Sequence, residues 1–599
     1  MITTDSLIAT YTEKINFFKG EIQLQKNKLN FIFYIRLFTF ILAFVLFFLF
    51  IQNDPVLAFI LVPLVIATFL ILLKFELKSQ KKIDYLTNRI QLNENEIAIL
   101  NNHFEGFDPG KEFINKEHFY IADLDIFGNR SIFQLLNRTS TFTGRSKLAL
   151  WLTHPFLQKQ EIEDRQQAIK CLSGKIEWSQ QFIATGISEK ETQMDKDIIQ
   201  DWLQEDISFS FPFLKFVSIA LPVMALLALI LQLTKVIDST AFTLLFLLQL
   251  FTVASQLKKT NRIHNQLSRK INTVEKYASL IQLLEHETYE GNTLNGLKQQ
   301  LTNKQEAASL SIRKLKKLVD ALDTRLNIAV AVILNGILLF DINLMQRIEK
   351  WKLEYKDDFL KWIDVIGEFD AFISLGMVAY NNPDYVYGEI EKDSFILYTE
   401  NMGHPLIKKE QVVKNDYSIL ELAKIDLLTG ANMAGKSTFL RTVGVNLIMA
   451  MIGLPVCAGK FKFTPIRLFT SLRTNDSLQE NESFFYAELK RLQMLMNKYE
   501  KGERIFFLLD EILKGTNSKD QHSGSEALIK KIIRLNGVGI IATHDVELSK
   551  LEHELPNHIR NLCFEIHIEG DRLSFDYTLK NGVCATMNAS FLMAQMGIT

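Results

Sequence analysis

Leu427-Leu428-Thr429-Gly430-Ala431-Asn432-Met433-Ala434-Gly435-Lys436-Ser437-Thr438 is the stretch on which the reading of the fold turns. It fits G-x-x-x-x-G-K-[ST], the phosphate-binding loop. The run Ile425 to Leu428, apolar apart from Asp426, reads as a strand, and Phe439, Leu440, Val443, Leu447 and Ile448 have helical spacing. Strand, loop and helix in that order are the setting this motif requires. Gly430 and Gly435 let backbone N–H groups approach phosphate with no side chain between, and the following helix turns its positive end to the same anion. Lys436 is placed to reach the β- and γ-phosphates of ATP, and Ser437 to ligate Mg²⁺. The expected nucleotide-binding set is therefore Gly430, Ala431, Asn432, Met433, Ala434, Gly435, Lys436, Ser437 and Thr438.

Further along, Arg504-Ile505-Phe506-Phe507-Leu508-Leu509-Asp510-Glu511 reads as a buried strand ending in two acids. Asp510 is expected to hold Mg²⁺ with Ser437, and Glu511 to orient or polarise the attacking water. Gly537 to Thr543 reads as another core strand, running into His544, which is placed to sense the γ-phosphate. Strand-like runs alternating with helices from the Gly403-His404-Pro405 turn onward predict a mostly parallel sheet.

The rest of the chain is marked by where its apolar residues sit. Residues 31–51 and 56–73 are two apolar runs joined by Gln52-Asn53-Asp54-Pro55, and 216–233 and 241–257 form a second pair. Each is long enough to span a bilayer core of ~30 Å at ~1.5 Å per residue, so they read as two transmembrane hairpins. Pro63 and Pro222 are expected to kink their helices, and Arg36 to snorkel to the headgroups. Lys74, Lys78, Lys81, Lys82 and Arg89 follow the first hairpin, and Lys258, Lys259, Arg262, Arg269 and Lys270 follow the second. That charge puts both termini and the large segments in the cytoplasm, in a multi-pass protein of the inner membrane with its ATPase domain on the cytoplasmic side. The run 328–340 is short and holds Asn335 and Gly336, which predicts a buried helix of a soluble domain.

The domain partition that follows is 1–105, N-terminal helices with the first hairpin; 106–210, a soluble helical domain; 211–258, the second hairpin; 259–400, a helical lever region; and 401–599, the ATPase domain. The fold class is multidomain α and α/β. The 599 residues carry a formal net charge of -1, so no global basic excess points to nucleic acid. Cys171, Cys457, Cys563 and Cys584 are scattered and suggest neither zinc nor a disulfide framework.

Thr429–Thr438, Leu508–Ile512, Gly515-Thr516 and Ala542-Thr543-His544 together resemble the MutS family of DNA mismatch repair ATPases. Upstream, Asp123–Gly128, Ser131–Phe133, Leu136–Thr139, Gly144-Arg145 and Arg165-Gln166 look like the start of that family's core domain. The resemblance implies that Asn432 helps hold the γ-phosphate and water. It also implies that Ser483 reaches the ATP of a partner subunit in a head-to-head homodimer, with Gly515 to Asp520 crossing the interface. Departures accompany it: Ala431 stands for the family's proline, Ala434 for a glycine and Lys514 for an arginine, whose planar fork lysine lacks. No Phe-x-Glu wedge stands near the start, so mismatch reading is not expected of this chain.

The function these features predict is a membrane-anchored, dimeric, Mg²⁺-dependent ATP hydrolase acting as a conformational switch, on DNA or on a protein partner. One alternative is a transporter-type ATPase, against which stand four spans only and no Leu-Ser-Gly-Gly-Gln-like signature. The other is a non-catalytic membrane scaffold, against which stands the intact Lys436, Ser437, Asp510 and Glu511 set.

Overall fold

Two long helices run antiparallel at the start of the computed structural model, α1 (Thr4–Phe50) and α2 (Pro55–Leu100). The structure describes residues 3–50, 55–104, 106–206, 209–268, 270–302, 306–431, 433–472, 484–569 and 572–584. At ~1.5 Å per residue the 47 residues of α1 extend about 70 Å, more than twice a ~30 Å bilayer core. One half of the hairpin is apolar and open; the other half is polar and packed. Leu7, Tyr11, Ile15 and Phe18, spaced at three and four, are buried in the packed half. Phe31, Phe38 and Phe48 lie exposed in the open half. Arg36, expected to reach headgroups, instead pairs with Glu76 of α2, its guanidinium 5.8 Å from the ring centre of Phe69.

The helical body follows: α3 (Ile132–Leu136), α4 (Phe142–Thr153), α5 (Lys159–Ser173), α6 (Ile176–Gly186) and α7 (Gln193–Gln204). The second apolar pair is α8 (Pro212–Leu233) and α9 (Ser239–Ser268), and both Pro63 and Pro222 lie inside continuous helices. Among the described residues, α1, α2 from Ile60, α8 and α9 are the helices long and apolar enough to cross a membrane. Next come α10 (Ile271–His286), α11 (Asn292–Gln299), α12 (Ala308–Leu322), α13 (Ile328–Leu338) and α14 (Phe340–Asn381).

The 42-residue α14 is the axis of this body, packed along α4, α5 and α12. Asp370, fully buried on it, accepts from the Ser140 and Thr141 amides at 2.9 and 2.8 Å and from the Thr141 hydroxyl at 2.7 Å. Burial pushes its carboxyl up to about 6, against the pull of those bonds. A Cβ on Gly144 would lie 2.3 Å from the Asp370 carboxylate, so only glycine lets α4 close on α14 here. At the far end of α14, Asn381 accepts from Tyr11 Oη at 2.7 Å and donates to Glu96 at 2.6 Å. Glu96 pairs with Arg138 at 3.1 Å, both side chains buried.

Residues 328–340 differ from the expectation. α13 is not a buried helix of a soluble core: Ile328 and Ile333 are 79% and 56% exposed, and the helix packs on α8 and α9. Asn335 and Gly336, on which the expectation of a soluble helix rests, shape its contact with the apolar pair. Asn335 Oδ1 accepts from the Asp341 amide at 2.9 Å, and a Cβ on Gly336 would meet the Phe246 ring at 2.1 Å.

The last part holds two sheets. The smaller has the order β1-β5-β2-β3, from β1 (Glu389–Ile390), β2 (Leu397–Met402), β3 (Asn415–Ile419) and β5 (Lys460–Phe463). A boundary at 400/401 would therefore cut through β2, and the sheet begins at Glu389. The larger has the order β10-β9-β4-β8-β7-β6, from β4 (Ile425–Gly430), β6 (Arg467–Ser471), β7 (Ile505–Asp510), β8 (Val538–Thr543), β9 (Ile559–Glu569) and β10 (Arg572–Asn581). All its pairings are parallel except that of edge strand β10. β4 and β8 are buried throughout, the pattern of strands covered on both faces. Helices α15 (Lys436–Met451), α16 (Phe484–Glu500), α17 (Ser518–Arg534) and α18 (Leu551–Glu554) flank it.

The helical body meets this part through residues singled out in the sequence. The Arg165 guanidinium lies 3.6 Å from the Trp151 ring centre, and its Nε donates to the Ile452 carbonyl beyond α15. Gln166 donates to the Gly388 carbonyl at 2.9 Å. Asp123 accepts from Thr470 of β6 at 2.6 Å and pairs with Arg491 of α16 at 3.3 Å.

Candidate functional site

Parallel register brings the site together. Leu428 and Asp510 both stand opposite Ala542, so β4, β8 and β7 end side by side, carrying Gly430, His544 and Asp510. In open α/β sheets, the carboxyl ends of the strands are where ligands bind. Gly435, at φ 107°, makes the left-handed step into α15, a conformation that disfavours any residue with a Cβ.

The predicted residues meet here, bonded to one another. Lys436 Nζ turns back on its own loop, donating to the Gly430 carbonyl at 2.6 Å and the Ala431 carbonyl at 3.1 Å. Ser437 Oγ donates to Asp510 Oδ2 at 2.5 Å. His544 Nε2 lies 2.8 Å from Glu511 Oε1 and 3.2 Å from Lys436 Nζ. Glu511 also pairs with Lys514. It sits at φ 50°, a left-handed conformation unusual for a glutamate, and its amide donates to the Ala542 carbonyl at 2.8 Å. Asn432 and Ser483 lie outside the described residues.

Charge and burial set the protonation of the cluster. Burial lowers the His544 imidazole below its ordinary value, and the charges of Lys436 and Lys514 add to that. The ring is therefore neutral at pH 7. The tautomer decides which neighbour Nε2 serves: protonated it donates to Glu511, and unprotonated it accepts from Lys436. Burial also lowers Lys436, to about 8, against the attraction of Asp510.

Several residues of the site carry no warning in the sequence. A cavity of about 370 Å³ beside the loop is lined by Met402, His404, Asn415, Phe564 and Tyr577, together with the expected Met433, Lys436, Ser437, Asp510 and Glu511. Tyr577 sits at φ 51° where the β9–β10 register shifts. Asn415 locks that bulge, donating to the Tyr577 carbonyl and accepting from the Leu579 amide at 2.7 Å. His404 is held neutral by burial, at about 4. Glu488 of α16 accepts from the Leu513 amide and so fixes the loop after Glu511. Only the positive φ of Tyr577 would have flagged it, and φ is invisible in a list of residues.

Ser437 and Asp510 supply a hydroxyl and a carboxylate oxygen within bonding reach of each other. This hard oxygen pair suits Mg²⁺, which keeps several waters and takes one or two protein ligands beside phosphate. Among the described residues no three His, Cys, Asp or Glu side chains converge as a metal cage.

A pH dependence follows for nucleotide binding. A phosphate-bound Lys436 is charged, whereas the free site loses that proton near pH 8. Binding above that pH must take up a proton and so weakens as pH rises. The Kd of a non-hydrolysable ATP analogue is expected to stay level to about pH 7.5 and then rise toward about tenfold per pH unit. A level Kd to about pH 9.5 would show that Lys436 does not titrate as described.

Comparison with known proteins bears on this arrangement. The family model for MutS domain III matches residues 121–376, and that for MutS domain V matches residues 426–596. A DNA mismatch repair protein MutS of Thermotoga petrophila is 29% identical over 238 residues, 38% of this chain and 29% of that protein. The protein of the same name in Fusobacterium nucleatum is 34% identical over 227 residues, 37% of this chain and 25% of that protein. A MutS protein homolog 4 of Mus musculus is 28% identical over 245 residues, 39% of this chain and 25% of that protein. The matched region thus spans less than a third of each of these relatives. The matches to domains III and V fall in the order in which the helical body and the sheets follow one another, and the chain belongs to the MutS family.

Proposed function

We propose that the chain is a membrane-anchored, Mg²⁺-dependent ATP hydrolase that works as a dimeric switch. One observation carries the chemistry: Lys436, Ser437, Asp510, Glu511 and His544 converge at the ends of three adjacent parallel strands, behind a glycine loop that opens a helix. Family membership supports ATP as the substrate.

The residues would act as follows. The γ-phosphate settles at the start of α15, and Lys436 exchanges the Gly430 and Ala431 carbonyls for phosphate oxygens. Ser437 and Asp510 would hold Mg²⁺, which neutralises charge on the β- and γ-oxygens when bound. Water attacks the γ-phosphorus, the bond to the bridging oxygen breaks, ADP leaves, and Glu511 takes the water's proton. For that, Glu511 must leave Lys514, while His544 Nε2–H keeps it oriented. Ser483 would complete the site of a second copy, giving a homodimer with two shared sites.

Four long apolar helices with open surfaces support the anchoring, and the lysines at the polar ends of the hairpins favour the cytoplasmic side. The names of the relatives bring DNA into consideration as a partner, with a protein partner as the other case.

Glu511→Gln should bind ATP yet turn it over at least about a hundredfold more slowly, within the range typical of a lost general base. Full turnover in that variant would remove Glu511 from the role. For the partner, fluorescence anisotropy with duplex DNA at rising salt is the direct measurement. Phosphate contact predicts affinity falling steeply, log-linearly with salt, and no binding even at low salt would assign the partner to protein.

A further inference from the structure

We infer that α13 is a third lipid-embedded element, a helix that lies in the bilayer beside the second hairpin without crossing it and forms the foot of α14. This rests on the membrane reading above. Its eleven residues, Ile328 to Leu338, contain no charge and extend about 16 Å at ~1.5 Å per residue, roughly half a bilayer core. Ile328, Val330, Val332 and Ile333 leave its N-terminal half open and apolar, a surface that water would penalise. What covers it is decided by continuity. Its C-terminal half lies against the apolar segment of α9, with Gly336 so close to Phe246 that no side chain fits between. The open faces of α8 and α9 carry Ile219, Leu227, Leu244 and Leu247, so α13 extends a surface already suited to acyl chains.

The joint at the end of α13 meets the strictest requirement of such a site. Backbone that breaks from a helix at membrane depth is tolerated only where the protein satisfies its polar groups. At Leu339, φ 46°, one helix ends and α14 begins. The Leu339 amide donates to the Asn335 carbonyl at 3.2 Å, and the Asp341 amide to Asn335 Oδ1 at 2.9 Å. Asn343 Nδ2 donates to the Leu338 carbonyl at 2.8 Å and lies 3.4 Å from the carbonyl of Ser218. That Ser218 carbonyl is the one deprived of its helical donor by Pro222, so the proline of α8 and the first turn of α14 complete each other. Two asparagines thus do for this break what water does at a soluble helix end. With one residue between them, α13 and α14 have no slack.

The test is spin labelling of the full chain in vesicles of phosphatidylethanolamine and phosphatidylglycerol, with Cys171, Cys457, Cys563 and Cys584 replaced by alanine. Single cysteines at Ile328 and Ile333 are compared with Leu227 of α8 and with Leu420, an exposed leucine beside the nucleotide-binding part. All four side chains point outward, so the label displaces no packing. The expected result is that labels at 328 and 333 behave like that at 227, with collisions with oxygen retained and collisions with a water-soluble nickel chelate lost, and the reverse at 420. If 328 and 333 behave like 420 while 227 is lipid-like, the inference is wrong and the membrane reading stands. If 227 is also water-exposed, the membrane reading fails and takes the inference with it.

Discussion

Asn381 is the residue on which the architecture turns. It is the last residue of α14, held between Tyr11 of α1 and Glu96 of α2, and Glu96 is in turn paired with Arg138 of the helical body. Three polar side chains and one cation, all buried, satisfy one another at the point where the first hairpin, the long axial helix and the lead into the small sheet meet. A buried ion pair gives little net stability, because desolvation offsets its attraction. Breaking one costs on the order of 3–5 kcal/mol, because the stranded charge stays buried. The knot therefore acts chiefly as a register device. Sliding α1 or α14 by one residue would turn Tyr11 or Asn381 out of it.

From that fixed point the two ends of the molecule are connected by stiff parts. α14 runs from Leu339, among the apolar helices, to Asn381, and the chain enters the small sheet at Glu389. Arg165 and Gln166 hold the helical body to the backbone at Ile452 and Gly388, and Asp123 holds it to β6 and α16. The side chains of the site are satisfied by one another: Lys436 donates to its own loop, Ser437 to Asp510, and Glu511 lies between His544 and Lys514. Nucleotide must exchange each of these bonds, and the loop after Glu511 is tied by Glu488 to α16. In the proposed switch, a change at the γ-phosphate would reach Arg491 and Asp123, and so the helical body, by this short covalent and hydrogen-bonded route.

Much of this was legible in the residues. Gly430, Gly435, Lys436 and Ser437 announce themselves because few side chains suit a phosphate cradle. Asp510, Glu511 and His544 are read from the apolar strands that carry them, and the structure brings all of these together. The long apolar runs were equally plain, since composition alone measures their length. What stayed hidden depends on three-dimensional position. Tyr577 and Asn415 meet across 162 residues by way of a bulge, and a tyrosine in an edge strand advertises nothing. The placing of 328–338 is hidden for a physical reason: a polar side chain and a glycine within an apolar run read in isolation as part of a soluble core. Here one satisfies a helix end and the other admits a phenylalanine ring. That β2 runs across 400/401 is hidden because it pairs with β3 and β5, farther along the chain, and such pairing leaves no local mark.

The proposed function requires an ATP-hydrolysing site fixed to a membrane with its open face toward the cytoplasm. Sealed membrane vesicles of known orientation, prepared with the full chain and with Lys436→Ala, test it most directly. The account predicts Lys436-dependent ATP hydrolysis by inverted vesicles without detergent, and latent activity in right-side-out vesicles until they are opened. Lys436-dependent activity released into the soluble fraction by high-salt washing, or equal in both vesicle orientations, would contradict it.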